Sequence, residues 1–206
     1  MGKNRRYFVL FIAMILFYSW SSLTPHANAA AKVTKIAQSY IEDTENSRLR
    51  SVIKGYTKAG KLVWTYKTGW AVQTELETIS SYFQKESIVY LVVEGKVIAL
   101  NKNTGKVLWK TKSIAGASVH YAFDKKGVLY IGGYDGPDVV AIDKKGKILW
   151  QVADASKGKA YWPYKINLLS DKIEIAYESD SDYEGRAYVD YSGKILNYKE
   201  VIRDNE

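Results

Sequence analysis

From residue 51 onward the chain alternates short apolar or aromatic runs with clusters of Gly, Asn, Asp and Lys. The runs 88–93 (IVYLVV), 96–100 (KVIAL) and 106–110 (KVLWK) are separated by Glu94-Gly95 and by 101–105 (NKNTG). The same order returns at 127–131 (GVLYI), 138–142 (DVVAI) and 147–150 (KILW). It returns again at 172–176 (KIEIA), 186–189 (RAYV) and 194–197 (KILN). Short β-branched and aromatic segments between Gly- and Asn/Asp-containing turns predict strands and tight turns, not helices. A further strand precedes each pair, at 78–83, 117–123 and 162–169. The chain is thus predicted to be all-β, in units of four-stranded antiparallel meander. Residues 31–41 are open to two readings. Val33, Ile36, Ala37 and Tyr40 fit one face of a helix, and the same segment fits an outer strand of the first unit. Residues 42–47 (EDTENS) read as a loop.

The turns carry a second regularity. A block begins at Gly60 (GKLVW), Gly105 (GKVLW), Gly146 (GKILW) and Gly193 (GKILN), with spacings of 45, 41 and 47 residues. A period in this range marks a repeat architecture, in which each unit buries its apolar face only against its neighbours. Gly closing each turn fits a backbone position with positive φ. Four units of four strands have the size of propeller blades.

At 100–109 (LNKNTGKVLW) and 141–150 (AIDKKGKILW) the chain resembles the pyrroloquinoline-quinone-like, or quinoprotein-like, β-propeller repeat family. That repeat is a strand ending in an apolar-Asp pair, a turn ending in Gly, and a strand ending in Trp. The third unit matches fully, and the second has Asn101 for the Asp. The first keeps Gly60 and Trp64 but has Tyr56 near the Asp position, and the fourth keeps Asp190 and Gly193 but ends in Asn197. The resemblance implies that Trp64, Trp109 and Trp150 pack between blades. It also implies a small propeller; an array that stays open would expose edges through which a second copy could pair as a homodimer. Quinoprotein dehydrogenases hold their cofactor in an eight-bladed ring with a pair of adjacent cysteines. This chain has no cysteine and half the blades, so no quinone or other cofactor is expected.

The N-terminus follows different rules. Lys3, Arg5 and Arg6 precede an uncharged apolar run at 7–20, and Ala27-Asn28-Ala29 follows. This is the layout of a secretory signal peptide over residues 1–29, with residues 30–206 as the single repeat domain. An uncleaved anchor is the alternative. The expected location is secreted or cell-surface associated. Beyond residue 29 there are 27 basic and 22 acidic residues, a net +5, without a basic block that would make nucleic acid the partner.

Candidate chemistry is sparse, and no catalytic residue is assigned. His120 is the one histidine of the repeat domain and reads as a satisfied structural group. Carboxylates at alternate positions, Asp180, Asp182 and Glu184, ahead of Gly185, have the spacing of oxygen ligands for calcium. Tyr161, Trp162 and Tyr164 form an aromatic cluster suited to a ligand surface. These features favour a non-catalytic extracellular binding or scaffold protein whose partner is a protein or a cell-wall polymer. A small carboxylate-dependent hydrolase of envelope glycans is the alternative.

Overall fold

The computed structural model describes residues 32–72, 81–93, 95–114, 117–134, 136–178 and 183–202. Within them the chain is almost wholly β, in four antiparallel sheets. Sheet one holds β1 (Lys35–Asp43), β2 (Arg48–Tyr56) and β3 (Leu62–Lys67) in that order, with β4 (Ala71–Val72) pairing on β2. Sheet two is the meander β5 (Ser81–Lys85), β6 (Ile88–Val93), β7 (Lys96–Asn101) and β8 (Val107–Lys110). Sheet three runs β9 (Ala117–Phe123), β10 (Leu129–Tyr134), β11 (Val139–Ile142) and β12 (Ile148–Val152). Sheet four runs β13 (Pro163–Leu168), β14 (Ile173–Tyr177), β15 (Tyr183–Val189) and β16 (Ile195–Ile202).

The predicted meanders of units two, three and four are therefore present, and the first unit differs. Residues 35–43 form a strand paired with β2 over nine positions, so the helical reading of 31–41 is overturned. That ladder satisfies the backbone groups that face β2 and overrides a weak helical periodicity. The predicted loop 42–47 shortens to a single 3-10 turn at Thr44–Asn46, where the Asp43 carboxylate accepts from the Asn46 amide. Counted back from Trp64, β3, β2 and β1 take the fourth, third and second places of a blade. No described strand takes the first.

Three apolar clusters join the sheets in series. Ile36, Ile53 and Trp64 of sheet one pack on Val89, Leu91 and Leu100 of sheet two. Tyr90, Val92 and Ala99 on the other face of sheet two pack on Leu129, Ile131 and Ile142 of sheet three. Tyr130, Val139 and Ala141 of sheet three meet Ile166, Ile175, Tyr177 and Ala187 of sheet four. Among the described residues no cluster joins sheet four to sheet one.

The repeated block explains the series. The Trp64 indole Nε1 donates to the Lys102 carbonyl at 2.7 Å, Trp109 to Lys144 at 2.9 Å, and Trp150 to Tyr191 at 3.0 Å. Each indole thus reaches into the last turn of the next sheet and lies over the glycine that closes it. A Cβ on Gly105, Gly146 or Gly193 would fall 2.6, 2.6 or 2.8 Å from Trp64, Trp109 or Trp150 respectively. These glycines also have φ of 67°, 82° and 90°, so side chains are refused on two grounds. Gly60 has the same φ region (79°) but no atom within 4 Å of its Cβ position. At the other end Asn197 stands where the fourth Trp would be. Among the described residues the latch is made three times; Gly60 has the seat of a fourth with nothing over it, and Asn197 stands in place of the fourth indole.

A candidate binding surface between sheets three and four

The segment linking β12 to β13 is built around two short side chains. The Asp154 carboxylate accepts from Ser156 Oγ at 2.7 Å and from the Gly158 amide at 2.6 Å. Ser156, fully buried, accepts from the Ala160 amide at 3.0 Å and lies 2.8 Å from its carbonyl. Lys157 and Gly158 take positive φ of 58° and 77° to close this turn. The link is thereby fixed, and it delivers Tyr161 and Trp162 to the surface. The Trp162 carbonyl then accepts from the Glu178 amide at 2.9 Å, which holds the entry to β13 against the end of β14.

A cleft of about 480 Å³ opens beside this link. Gly133, Gly136 and Asp138, before β11, form one wall, and Asp154, Tyr161 and Trp162 form the other. Tyr161 is 77% exposed and Trp162 43%, so both rings present faces to solvent at the mouth. Two acids line the cleft, but both are already engaged. The buried Asp138 carboxylate accepts from the Ala155 amide at 2.6 Å and from the Tyr177 hydroxyl at 2.5 Å. Burial pushes the Asp138 carboxyl above its ordinary value, against the lowering by those two donors. The Tyr177 phenol is pushed up as well, first by burial and then by Asp138. Asp138 therefore fastens β11 to the link and to β14. These acids hold the walls in place, and the two rings are the exposed part of the lining.

His120 lies on β9, in register with Gly132, where an added Cβ would come within 2.9 Å of its Nε2. The side chain is buried, and among the described residues the Asp138 backbone is its one polar neighbour, too poorly placed to make a well-formed hydrogen bond with either ring nitrogen. The close approach of Gly132 and the Asp138 backbone fills the space around the ring. Burial depresses its pKa to about 4, so the imidazole is neutral at physiological pH.

The predicted site residues are only partly brought together. Tyr161 and Trp162 share the cleft. Tyr164 turns to the other side, where its hydroxyl donates to Glu184 Oε1 at 2.7 Å. Asp180 and Asp182 lie outside the described residues. Glu184 belongs to β15, which begins at Tyr183, and its second oxygen accepts from Arg186 at 3.2 Å. Among the described residues, no three His, Asp or Glu side chains gather into a metal-binding group.

Glu184 is part of a polar layer that sequence reading missed. It covers the face of sheet four turned away from sheet three. Glu174 accepts from Asn167 Nδ2 and the Tyr188 hydroxyl, each at 2.9 Å, and pairs with Arg186 at 3.5 Å. Burial acts to raise the Glu174 carboxyl, but the donors and Arg186 outweigh it and hold it below its ordinary value. The row Asn167–Glu174–Tyr188–Asn197 occupies the register positions that sheet three fills with Ala122, Tyr130, Ala141 and Trp150. Glu174 between Ile173 and Ile175 was the available signal, since an acid alternating with isoleucines marks a sheet with one apolar face.

A family model described as outer membrane protein assembly factor BamB matches residues 49–197. Among solved structures, BamB from Moraxella catarrhalis is 18% identical, with a TM-score of 0.45 over 81% of this chain and 52% of that one. The virginiamycin B lyase of Staphylococcus aureus is 15% identical, with a TM-score of 0.48 over 83% of this chain and 61% of that one. The Neurospora crassa Pan2 WD40 domain is 14% identical, with a TM-score of 0.48 over 87% and 52%. This chain spans little more than half the length of such structures. No curated protein matches it.

Proposed function

Because the chain belongs to the family of the outer membrane protein assembly factor BamB, we propose that it is a non-catalytic scaffold of the cell envelope that binds a protein through the cleft between sheets three and four. The observation that carries this reading is the pair of exposed rings, Tyr161 and Trp162, on a link whose backbone is fixed by Asp154 and Ser156. Rigid presentation of aromatic surface lowers the ordering cost of association, and such rings dominate protein interfaces. The family's assembly role supports a protein partner over a cell-wall polymer. The apolar run at 7–20 supports export, with either cleavage near Ala29 or retention as an anchor. Among the described residues no helix is long and apolar enough to cross a membrane.

A photo-crosslinking amino acid at position 161 tests the proposal. In envelope extracts it should give discrete protein adducts that Trp162→Ala abolishes. Adducts at position 58, in the turn between β2 and β3, that match those at 161 would contradict it. The second reading, a carboxylate hydrolase acting on envelope glycans, draws on Asp138 and Asp154 lining one cleft. It requires glycan turnover that Asp154→Asn removes without loss of fold.

A further inference from the structure

The outward face of sheet one carries a concentration of cations that the cleft does not explain. Ile36, Ile53 and Trp64 point toward sheet two. Residues alternating with them in the ladder therefore turn to the opposite face. The register places Lys35 beside Tyr56, Lys54 beside Thr65, Lys67 beside Val52, Arg50 beside Ile41 and Arg48 beside Asp43. Five cations thus share one sheet face. Among the described residues, Asp43 is the one carboxylate on it, and it is taken by Arg48 at 2.6 Å.

Trp70 stands on the same face. Its ring lies 3.9 Å from the Arg50 guanidinium carbon and 5.3 Å from that of Arg48, and the residue is 36% exposed. Neither arginine Nε has a hydrogen-bond partner. The indole therefore holds both guanidinium groups in place without neutralising them. Ile41, 39% exposed, adds an aliphatic side chain to the face. Among the described residues this face carries four cations beyond the Arg48–Asp43 pair, set around the buried Val52, with an indole and an aliphatic group, a combination that fits an anionic interface. Trp prefers the headgroup level of a bilayer, and Lys and Arg there meet anionic lipid.

We propose that this face docks the scaffold on an anionic membrane surface. The sequence is compatible with that arrangement. Residue 20, the end of the apolar run, precedes Lys35 by 15 positions, a reach of at most about 50 Å. The basic face would orient the scaffold on the bilayer whether the run is cleaved or kept. The proposal stands apart from the cleft, which lies between sheets three and four.

The test is flotation of the full chain with phosphatidylcholine vesicles, with and without about 30% phosphatidylglycerol. The readout is the ratio of the two affinities, because insertion of the apolar run affects both vesicle types. The ratio should reach about tenfold and fall as salt rises from about 0.05 to 0.5 M. The variant R50E/K54E/K67E should bring it near one, while K125E/K145E/K194E, in turns of sheets three and four, should leave it within about twofold. If the first variant does not fold, K54Q/K67Q replaces it and should lower the ratio severalfold. Equal loss in the sheet-one and control variants would overturn the proposal, as would a ratio near one for the natural chain. Capture by poly-glutamate through the same three residues, without anionic-vesicle preference, would also overturn it and assign the face to an acidic protein.

Discussion

At the scale of single residues, the same letter carries different weight according to what lies across from it. Gly60→Ala should cost only the left-handed backbone penalty, about 1 kcal/mol, because nothing occupies its Cβ position. Gly146→Ala adds a clash with the Trp109 indole and should cost about 2 to 4 kcal/mol by urea denaturation. Trp109→Ala should cost about 3 kcal/mol, whereas Trp162→Ala, at a solvent-facing site, should stay within about 1 kcal/mol and act on partner binding. The seats of Trp64, Trp109 and Trp150 between sheets were legible in the sequence, because the repeated block resembles a propeller repeat whose Trp packs between blades. The depth of burial of His120 was not, since it depends on Gly132 and Asp138 closing around the ring. That state makes a pH prediction. The folded imidazole titrates at about 4, below its ordinary 6.5, so the unfolded chain takes up the proton first. Stability present above pH 6.5 should decline as pH falls toward 4, by about 3 kcal/mol in all. Asp138, raised by burial, binds its proton more readily when folded and pulls the other way near its own titration. Thermal unfolding against pH should therefore lose this slope in His120→Leu, and an unchanged slope would place its origin elsewhere.

At the scale of the element, sheets two and three are apolar on both faces and sheet four on one. Its outward layer of Glu174, Glu184, Arg186, Tyr188 and Asn167 is hydrogen bonded within itself, and Asn197 takes the register position of a latch tryptophan. Arg186→Ala leaves two buried carboxylates short of a cation and should cost about 3 kcal/mol in urea denaturation at neutral pH. Since the Glu174 carboxyl is held below its ordinary value, its contribution is present above pH 4.5 and is lost as pH falls through its folded titration. The gap between natural chain and variant should therefore narrow in acid, and a gap that widens would refute the assignment. The strands of the middle units could be read from their runs and turns. The first unit could not, because the strand character of residues 35–43 comes from the ladder with β2. The extent of β15 was also hidden, since the polar letters around Tyr183 and Glu184 look like loop until Ile202 and Val201 of β16 are paired with them.

At the scale of the whole molecule, the sheets form a series in which each indole is seated by its successor, and the proposed binding surfaces lie on what that packing leaves exposed. Three latches give the scaffold its order, the link at residues 153–162 presents two rings, and sheet one presents its cations. The measurement that tests this account most directly is hydrogen exchange at the tryptophan indole N–H groups, followed by NMR in the natural chain. Trp64, Trp109 and Trp150, bonded to carbonyls of the next sheet, should exchange at least about tenfold more slowly than Trp70 and Trp162. A protected Trp162, or latch indoles that exchange as fast as exposed ones, would contradict both the serial assembly and the binding surface built on it.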